Sequence, residues 1–557
     1  MNIARHQHLA GLWICCWLAL LAPAQWLPID LRITGPLIVF LPPLLLTWAS
    51  TIRFLSEFFA PRLRRFTALG ILLWCGLSTG LAPHTASALA TLAAWCFWAL
   101  GVATVAALAR RGQNYQKWFL TAMAAGGGVA ALIFAANWIL ADTPAHASWA
   151  QLVRPYSHYR FPGIHLLFAA LAALAVYLAS SGRARLYFLL LALCSWSALL
   201  WTGSRASMLS LGAGSCLLLL LRWRAAGHIA KDCVSGAILL AGALAVSAYF
   251  EPATPLGWTH AITRTVATTS LNEASSDRGG LWHNTAAHIP ERPFFGHGPD
   301  SYRFLTPKAA GNQPHNAVLL FALDLGIPGL VLLLALGCIV VPWAPIIQGH
   351  TVTPALAAAL ALIMGAMAMA LFDGVFYHAF GLMPLTVAVG LLLGISLPTV
   401  ETGPVYSRQY AITCATTIVA TGATLVIALH TIVVAIQFGA VPAPSSMEHR
   451  LVRYFPSNLF GYSRWIDAWE ESDPRTAEEA CLWAASASDL AYQYHLRCAG
   501  YSAARSDLQQ TLQQLDAAVA TAPAQLQPGL ANQLRQIRAQ FAPSRPEQPE
   551  AAARPPS

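Results

Sequence analysis

The sequence predicts an all-α, polytopic membrane protein with about 13 transmembrane helices, each needing about 20 mostly apolar residues. Three observations carry that prediction. Of 557 residues, 56% are hydrophobic and only 10% are charged, where soluble domains carry about 25% charged residues. The mean hydropathy is +0.53. Long apolar runs recur along the chain as far as residue 437.

The candidate spans are 9–27, 33–56, 68–83, 87–109, 119–140, 162–180, 186–202, 206–222, 233–250, 317–342, 354–372, 379–397 and 411–437. Basic residues favour cytoplasmic loops, which tests the set. With the N-terminus and Arg5 inside, the inner loops hold Arg62, Arg64 and Arg65; Arg110, Arg111 and Lys117; Arg183 and Arg185; Arg222, Arg224 and Lys231; and Arg408. The short outer loops hold few, such as Arg32. A missed span would scramble this alternation. The long loop 251–316 then lies outside, and an odd number of spans puts the tail outside as well.

The chain therefore divides into a transmembrane domain, 1–437, and a polar tail. Within 438–543 the segments Ala477–Ala499 and Ser506–Ala520 read as amphipathic helices. The Pro/Ala/Glu-rich stretch 544–557 has the composition of a disordered end. The stretch 9–27 follows Arg5 as a signal peptide would, but it lacks a convincing small-residue cleavage site and reads as the first span.

A net charge of +9 does not imply nucleic-acid binding, because the basic residues sit in short loops between apolar runs and form no basic face. Nine of the 11 cysteines lie in or beside apolar runs, where Cys acts as a small hydrophobe. No Cys/His spacing suits a metal. Cys481 and Cys498, in the tail, could pair in an oxidising compartment.

Chemistry is expected at the outer ends of the spans. Thr202-Gly-Ser-Arg205-Ala-Ser207 puts an arginine between two apolar runs. Its bland alternative is a snorkelling side chain. The outer loop contains Asp277-Arg278-Gly-Gly-Leu-Trp282, then Pro290-Glu-Arg292-Pro-Phe-Phe-Gly-His-Gly-Pro299, and ends in Gln313-Pro-His315-Asn316. Such a loop is too patterned for a linker, and its 278–282 spacing suggests a short surface helix. His315 at the head of a span can accept a proton, or it can be a solvated cap. The turn Phe372-Asp-Gly-Val-Phe-Tyr377-His378 is outer too, although Tyr and His are also common belt residues. Arginines, a histidine and a tyrosine on one side suit a phosphate-bearing lipid, because a guanidinium offers bidentate donors and keeps its charge.

The loop resembles that of the bacterial O-antigen ligase and polymerase superfamily. The matching residues are Gly203-Ser-Arg205-Ala-Ser207, Asp277 to Trp282, Pro290 to Gly298, and His315-Asn316 through Asp324, Gly326 and Gly329. The span number and outer tail look most like the branch of O-linking oligosaccharyltransferases (pilin glycosylation ligases). The resemblance implies a GT-C-like fold in the bacterial inner membrane, with the loop and tail periplasmic. It implies a glycan donor linked to undecaprenyl pyrophosphate, no cofactor and no metal. It implies that Arg205 and Arg278 hold the pyrophosphate and that His315 is the general base or orients the acceptor. Tyr377, Asn316, Arg160, His165 and Arg292 are candidate supports. Where the protein-glycosylating branch often has Gly-Gln-Pro-Asn, this chain reads Arg160-Phe-Pro-Gly-Ile-His165.

The expected function is transfer of the glycan to a Ser/Thr hydroxyl of a periplasmic protein such as type IV pilin. Partners are then the lipid-linked oligosaccharide, the acceptor protein and membrane lipids, with no nucleic acid. The alternatives are an O-antigen ligase acting on lipid A–core and a polysaccharide polymerase. More distant is a transporter, which would favour mid-span charges and repeats.

Overall fold

The computed structural model describes residues 3–26, 35–83, 85–141, 149–154, 156, 160–226, 229–251, 256–268, 278–305, 313–343, 352–397, 491–504, 508–522 and 527–541. They form helices and no strand. The expected span 411–437, the tail up to residue 490, Cys481 and the stretch 544–557 lie outside the described residues.

The first unit opens with α1 (Ile3–Ala19), α2 (Gly35–Leu46), α3 (Trp48–Phe58), α4 (Arg62–Gly80) and α5 (Thr85–Ala109). It continues with α6 (Gln113–Leu140), α7 (Phe161–Ala179), α8 (Gly182–Trp201), α9 (Arg205–Ala226) and α10 (Ile229–Tyr249). Two short helices, α11 (Trp258–Ala267) and α12 (Arg278–His288), lie in the long loop. Then come α13 (Ala317–Val340), α14 (Pro354–Ala370) and α15 (Ala379–Ser396). Among the described residues 8 helices are long and apolar enough to cross a membrane, or 9 if one bent pair counts as a span, so this is a multi-pass membrane protein. The helix α14 is apolar but shorter. The expected spans 9–27 and 68–83 fall on α1 and α4.

The expected span 33–56 is sharply bent: α2 and α3 meet at 93°, as a broken span or a re-entrant loop. Pro42 and Pro43 remove two backbone donors within α2. At the bend Thr47 leaves helical geometry, and its hydroxyl donates to Pro43 O at 2.7 Å. Beyond it α3 is amphipathic and buries Ile52, Phe54 and Phe58. Phe54 and Phe58 pack with Ala103, Ala106, Ala107 and Leu393 of α5 and α15. Glu57 is buried there between Arg53 and Arg110, and Arg110 also donates to Leu397 O at 3.3 Å.

The helix α7 is buried from Pro162 to Leu178 and is the axis of the unit. It packs against α6, α8, α9, α14 and α15. Small residues permit this: a Cβ on Gly126 of α6 would lie 2.5 Å from Leu18 O and 3.2 Å from His165 Nε2.

The helix α13 is broken. Gly326 has φ 72° and Pro328 follows within the helix, and proline offers no N–H. Carbonyls that would otherwise bond along the helix need other donors. Leu323 O accepts from His297 N at 2.8 Å, and Asp324 O accepts from Gly298 N at 2.9 Å. Ser78 Oγ also donates to Asp324 O, and Trp74 Nε1 donates to Leu325 O, each at 2.8 Å. In return Ile327 N donates to Pro293 O at 2.9 Å. The Pro-Phe-Phe-Gly-His-Gly stretch of the long loop therefore completes the hydrogen bonding of α13, and Phe295 stacks on Trp74 at 4.8 Å.

A second unit contains α16 (Ala491–Ala504), α17 (Leu508–Thr521) and α18 (Gln527–Phe541), packed in sequence. His495 Nδ1 and Gln514 Oε1, 2.8 Å apart, join the first two of these helices. The expected tail helix Ser506–Ala520 falls on α17, while of the expected helix Ala477–Ala499 only 491–499 are among the described residues, within α16, which runs on to Ala504.

Gly326→Ala should destabilise the protein, since its Cβ would strike Phe294 O and its φ is positive. Gly76→Ala, in α4 with nothing within 4 Å, should be neutral or stabilising by about 0.5–1 kcal/mol. Thermal melting in detergent, followed by size-exclusion chromatography, checks the contrast; equal melting temperatures would mean that the break is not held in this way.

Candidate active site

The site is built on a turn, a loop end and a short helix. His315 precedes α13 with φ 51°, a left-handed conformation uncommon for residues other than glycine. Asn316 follows as the N-cap of α13: its Oδ1 accepts from Leu319 N at 3.1 Å, and its Nδ2 donates to Leu371 O at 3.2 Å. Asn is among the best N-caps because its side chain replaces the missing helical acceptor. This ties the head of α13 to the end of α14 and leaves His315 beside the turn that follows.

In that turn Asp373 is 2% exposed. His315 Nδ1 lies 2.9 Å from Asp373 Oδ1, which also accepts from Gly374 N at 2.8 Å. Arg278, the first residue of α12, brings its Nη2 to 3.5 Å from Asp373 Oδ2, an ion pair longer than a hydrogen bond. Burial alone would raise the carboxyl's pKa. The hydrogen bond and charge of His315, the charge of Arg278 and the Gly374 N–H outweigh burial and hold it at about 2. The carboxylate is thus ionised at any physiological pH. Nδ1–H donates to it, which leaves Nε2 as the nitrogen able to take a proton.

Further along the turn Tyr377 OH donates to Asp300 Oδ1 at 3.2 Å. Asp300 is fixed in turn, since Asp324 of α13 accepts from the N–H groups of Asp300 and Ser301, each at 3.2 Å, and from Ser301 Oγ at 2.8 Å. Gln313 Nε2 stands 3.3 Å from His378 Nε2.

The Arg205 segment comes to the same end of the unit by packing. A Cβ on Gly163 of α7 would lie 3.0 Å from Ser204 Cβ, and Ser207 Oγ contacts Met369 Sδ of α14 at 3.8 Å. A Cβ on Gly381 would lie 2.5 Å from Val375 O and 3.2 Å from Ile164. The N-termini of α7, α9 and α15 and the end of α14 therefore meet around the 373–378 turn. Arg205 begins α9, and its Nη1 donates to Thr265 Oγ1 of α11 at 3.2 Å.

Of the residues expected at the site, the structure brings together His315, Arg278, Asn316 and Tyr377, directly or through the 371–377 segment. Arg205 and Arg160 lie at the same end of the bundle, on the N-termini of α9 and α7. Arg292 faces elsewhere, donating to Leu81 O at the end of α4 at 2.8 Å. His165 is 2% exposed inside the bundle and stands 2.6 Å from Tyr156 OH through its Nδ1. Burial pushes the Tyr156 phenol's pKa up. The residue that sequence reasoning missed is Asp373. The signal was present, since the Asp-Gly turn lies among residues already singled out, but nothing in the sequence pairs position 373 with 278 and 315. Among the described residues no three His, Cys, Asp or Glu side chains stand close enough to hold a metal ion.

Residues 189–334, from α8 to the broken part of α13, match a family model described as O-antigen ligase. The match supports the O-antigen ligase superfamily and a glycosyltransferase of the ligase or polymerase type. It spans the Arg205, Arg278 and His315 segments, while Asp373 and Tyr377 lie beyond it. No curated protein matches the chain.

Tyr156→Phe would leave His165 Nδ1 without its partner in a buried place, a loss of about 1–3 kcal/mol. The melting temperature should fall; an unchanged value would show that the pair contributes nothing.

Proposed function

We propose that this protein transfers a glycan from undecaprenyl pyrophosphate to a hydroxyl at the periplasmic face of the bacterial inner membrane. The observation that carries the reading is the buried Asp373 carboxylate, shared by His315 and Arg278. One anion orients a base and at the same time fixes an arginine that can meet a phosphate.

The chemistry follows from these groups. The acceptor oxygen attacks C1 of the donor's first sugar while the bond from C1 to the pyrophosphate oxygen breaks. The hydroxyl proton passes to His315 Nε2, and Asp373 stabilises the imidazolium that forms. Base assistance of this kind contributes roughly 10²–10⁴ in rate. Charge grows on the leaving pyrophosphate, where Arg278 and Arg205 supply positive charge; a preplaced donor of this type is worth about 3–4 kcal/mol. A single displacement inverts the anomeric centre, so retention in the product would rule it out.

We read the acceptor as a protein hydroxyl, as on a type IV pilin. The helical second unit, α16 to α18, offers surface beyond that needed for a lipid-linked donor. A thirteen-span topology with both loop and tail outside belongs to this reading. The second reading, an O-antigen ligase acting on lipid A–core, is favoured by the description of the matching family. A transporter is disfavoured because the carbonyls at the break of α13 are occupied by protein donors, whereas transporters leave such groups to coordinate ions.

Deleting the gene and following both pilin mass and the lipopolysaccharide ladder decides the acceptor. Loss of a glycan mass from pilin alone supports the protein-directed enzyme, and loss of the ladder alone moves the assignment to the ligase. Arg278→Ala should abolish transfer with expression intact, and normal transfer would sink the pyrophosphate role. Asp373→Asn should lower turnover roughly 10²-fold or more at pH 8.5. The sign follows from the lowered pKa, since the charge removed by the substitution is present there and is lost only on approaching pH 2. Unchanged turnover would contradict this.

A further inference from the structure

The outer ends of α6, α8 and α10 enclose a cavity of about 170 Å³ that the site described above does not use. Its walls are almost wholly apolar, with Phe134, Trp138, Trp201 and Phe250 as aromatic faces. Its rim reaches the outside of the bundle, where Leu132 is 70% and Val246 38% exposed. Two serines line it: Ser197 and Ser247 are 6% and 1% exposed, and among the described residues neither hydroxyl has a hydrogen-bond partner.

The cavity adjoins the Arg205 turn along the chain. Trp201 ends α8 in the cavity wall, and its Nε1 donates to Phe250 O at 2.8 Å. Four residues later Arg205 begins α9, no more than about 14 Å of chain away. A Cβ on Gly203, between them, would lie 2.7 Å from Gly257 O, so the turn is pressed against the start of α11, which holds Arg205 through Thr265. A cationic residue thus begins the helix that follows the wall of an apolar cavity open to the outside of the bundle, an arrangement complementary to a lipid with an anionic head.

From this we infer that the cavity between α6, α8 and α10 receives the first isoprene unit of a polyprenyl chain whose phosphate meets Arg205. The inference rests on the proposed lipid-pyrophosphate donor and says where its chain lies. Size fits, since a cavity of about 150 Å³ accommodates a six-carbon ring and an isoprene unit has five carbons. Chemistry selects the chain type. A saturated acyl chain gives the two serine hydroxyls nothing, whereas the double bond of an isoprenoid offers a π face to them, a weak O–H···π contact. The aromatic walls suit the same flat, unsaturated segment.

The test uses the full-length protein in detergent and a farnesyl pyrophosphate analogue carrying a diazirine on its first isoprene unit. After photolysis, peptide mapping should find adducts in 131–138, 194–201 or 246–250. Ala198→Phe, which fills the cavity, should reduce the adduct at least tenfold, and excess farnesyl pyrophosphate should compete while a saturated alkyl phosphate should not. Size-exclusion profiles and melting curves show that the variant is folded; Ala135→Leu is the second filling variant if it is not. Adducts elsewhere, or equal competition by the saturated phosphate, would overturn the inference. In that case transfer that still depends on Arg278 would leave the proposed donor chemistry standing. Adducts in the cavity without any glycan transfer would instead strike the proposed function alone.

Discussion

Everything at the site hangs from the break in α13. A helix inside a membrane protein cannot leave carbonyls unmet, because no water is at hand to satisfy them. At Gly326 and Pro328 the missing partners are supplied by the backbone of Gly298 and His297 and by the side chains of Ser78 and Trp74. This obligation docks the long loop on the bundle. Docking places Asp300 against Asp324 and Tyr377. The same helix begins at Asn316, so the position of His315 is set by the element that the loop completes.

The second constraint is electrostatic. A carboxylate as buried as Asp373 is tolerated only if charged or hydrogen-bonding groups surround it. Here the imidazole, the guanidinium and the Gly374 N–H do so. These groups come from three separate stretches of chain, so the carboxylate is also what draws them together. A buried charge that loses one partner is costly, which makes the loop end, α12 and the 373–378 turn interdependent.

Much of this was legible in the chain. Charge scarcity and apolar runs reveal a helical membrane protein because the bilayer imposes length and composition on each span. The segments around 205, 278, 315 and 377 stand out because polar residues beside apolar runs need a reason. What escaped reading was geometry between distant segments. The bend at Thr47 hides within a run whose average composition looks like one span. His165 looks like a site residue until Tyr156 and Gly126 are seen to enclose it. Arg292 sits in the right motif, yet its side chain caps α4. Asp373 needed three-dimensional neighbours to be recognised, since one acid on a short turn is unremarkable by itself.

Arginines at the opposite end of the bundle act twice, at different moments in the life of the molecule. Arg110 donates to Leu397 O and Arg222 to Leu178 O, each meeting the carbonyl end of another helix. On the proposed topology the charge of Arg110 acts first on a nascent hairpin, when the residue it will finally bond is still 287 positions from being made. Its first task needs only a positive charge, and lysine would serve equally. Its second task needs a fork that reaches a carboxylate and a carbonyl together, which lysine's single ammonium does poorly. The choice of arginine at such loops therefore records the finished architecture as well as the history of insertion.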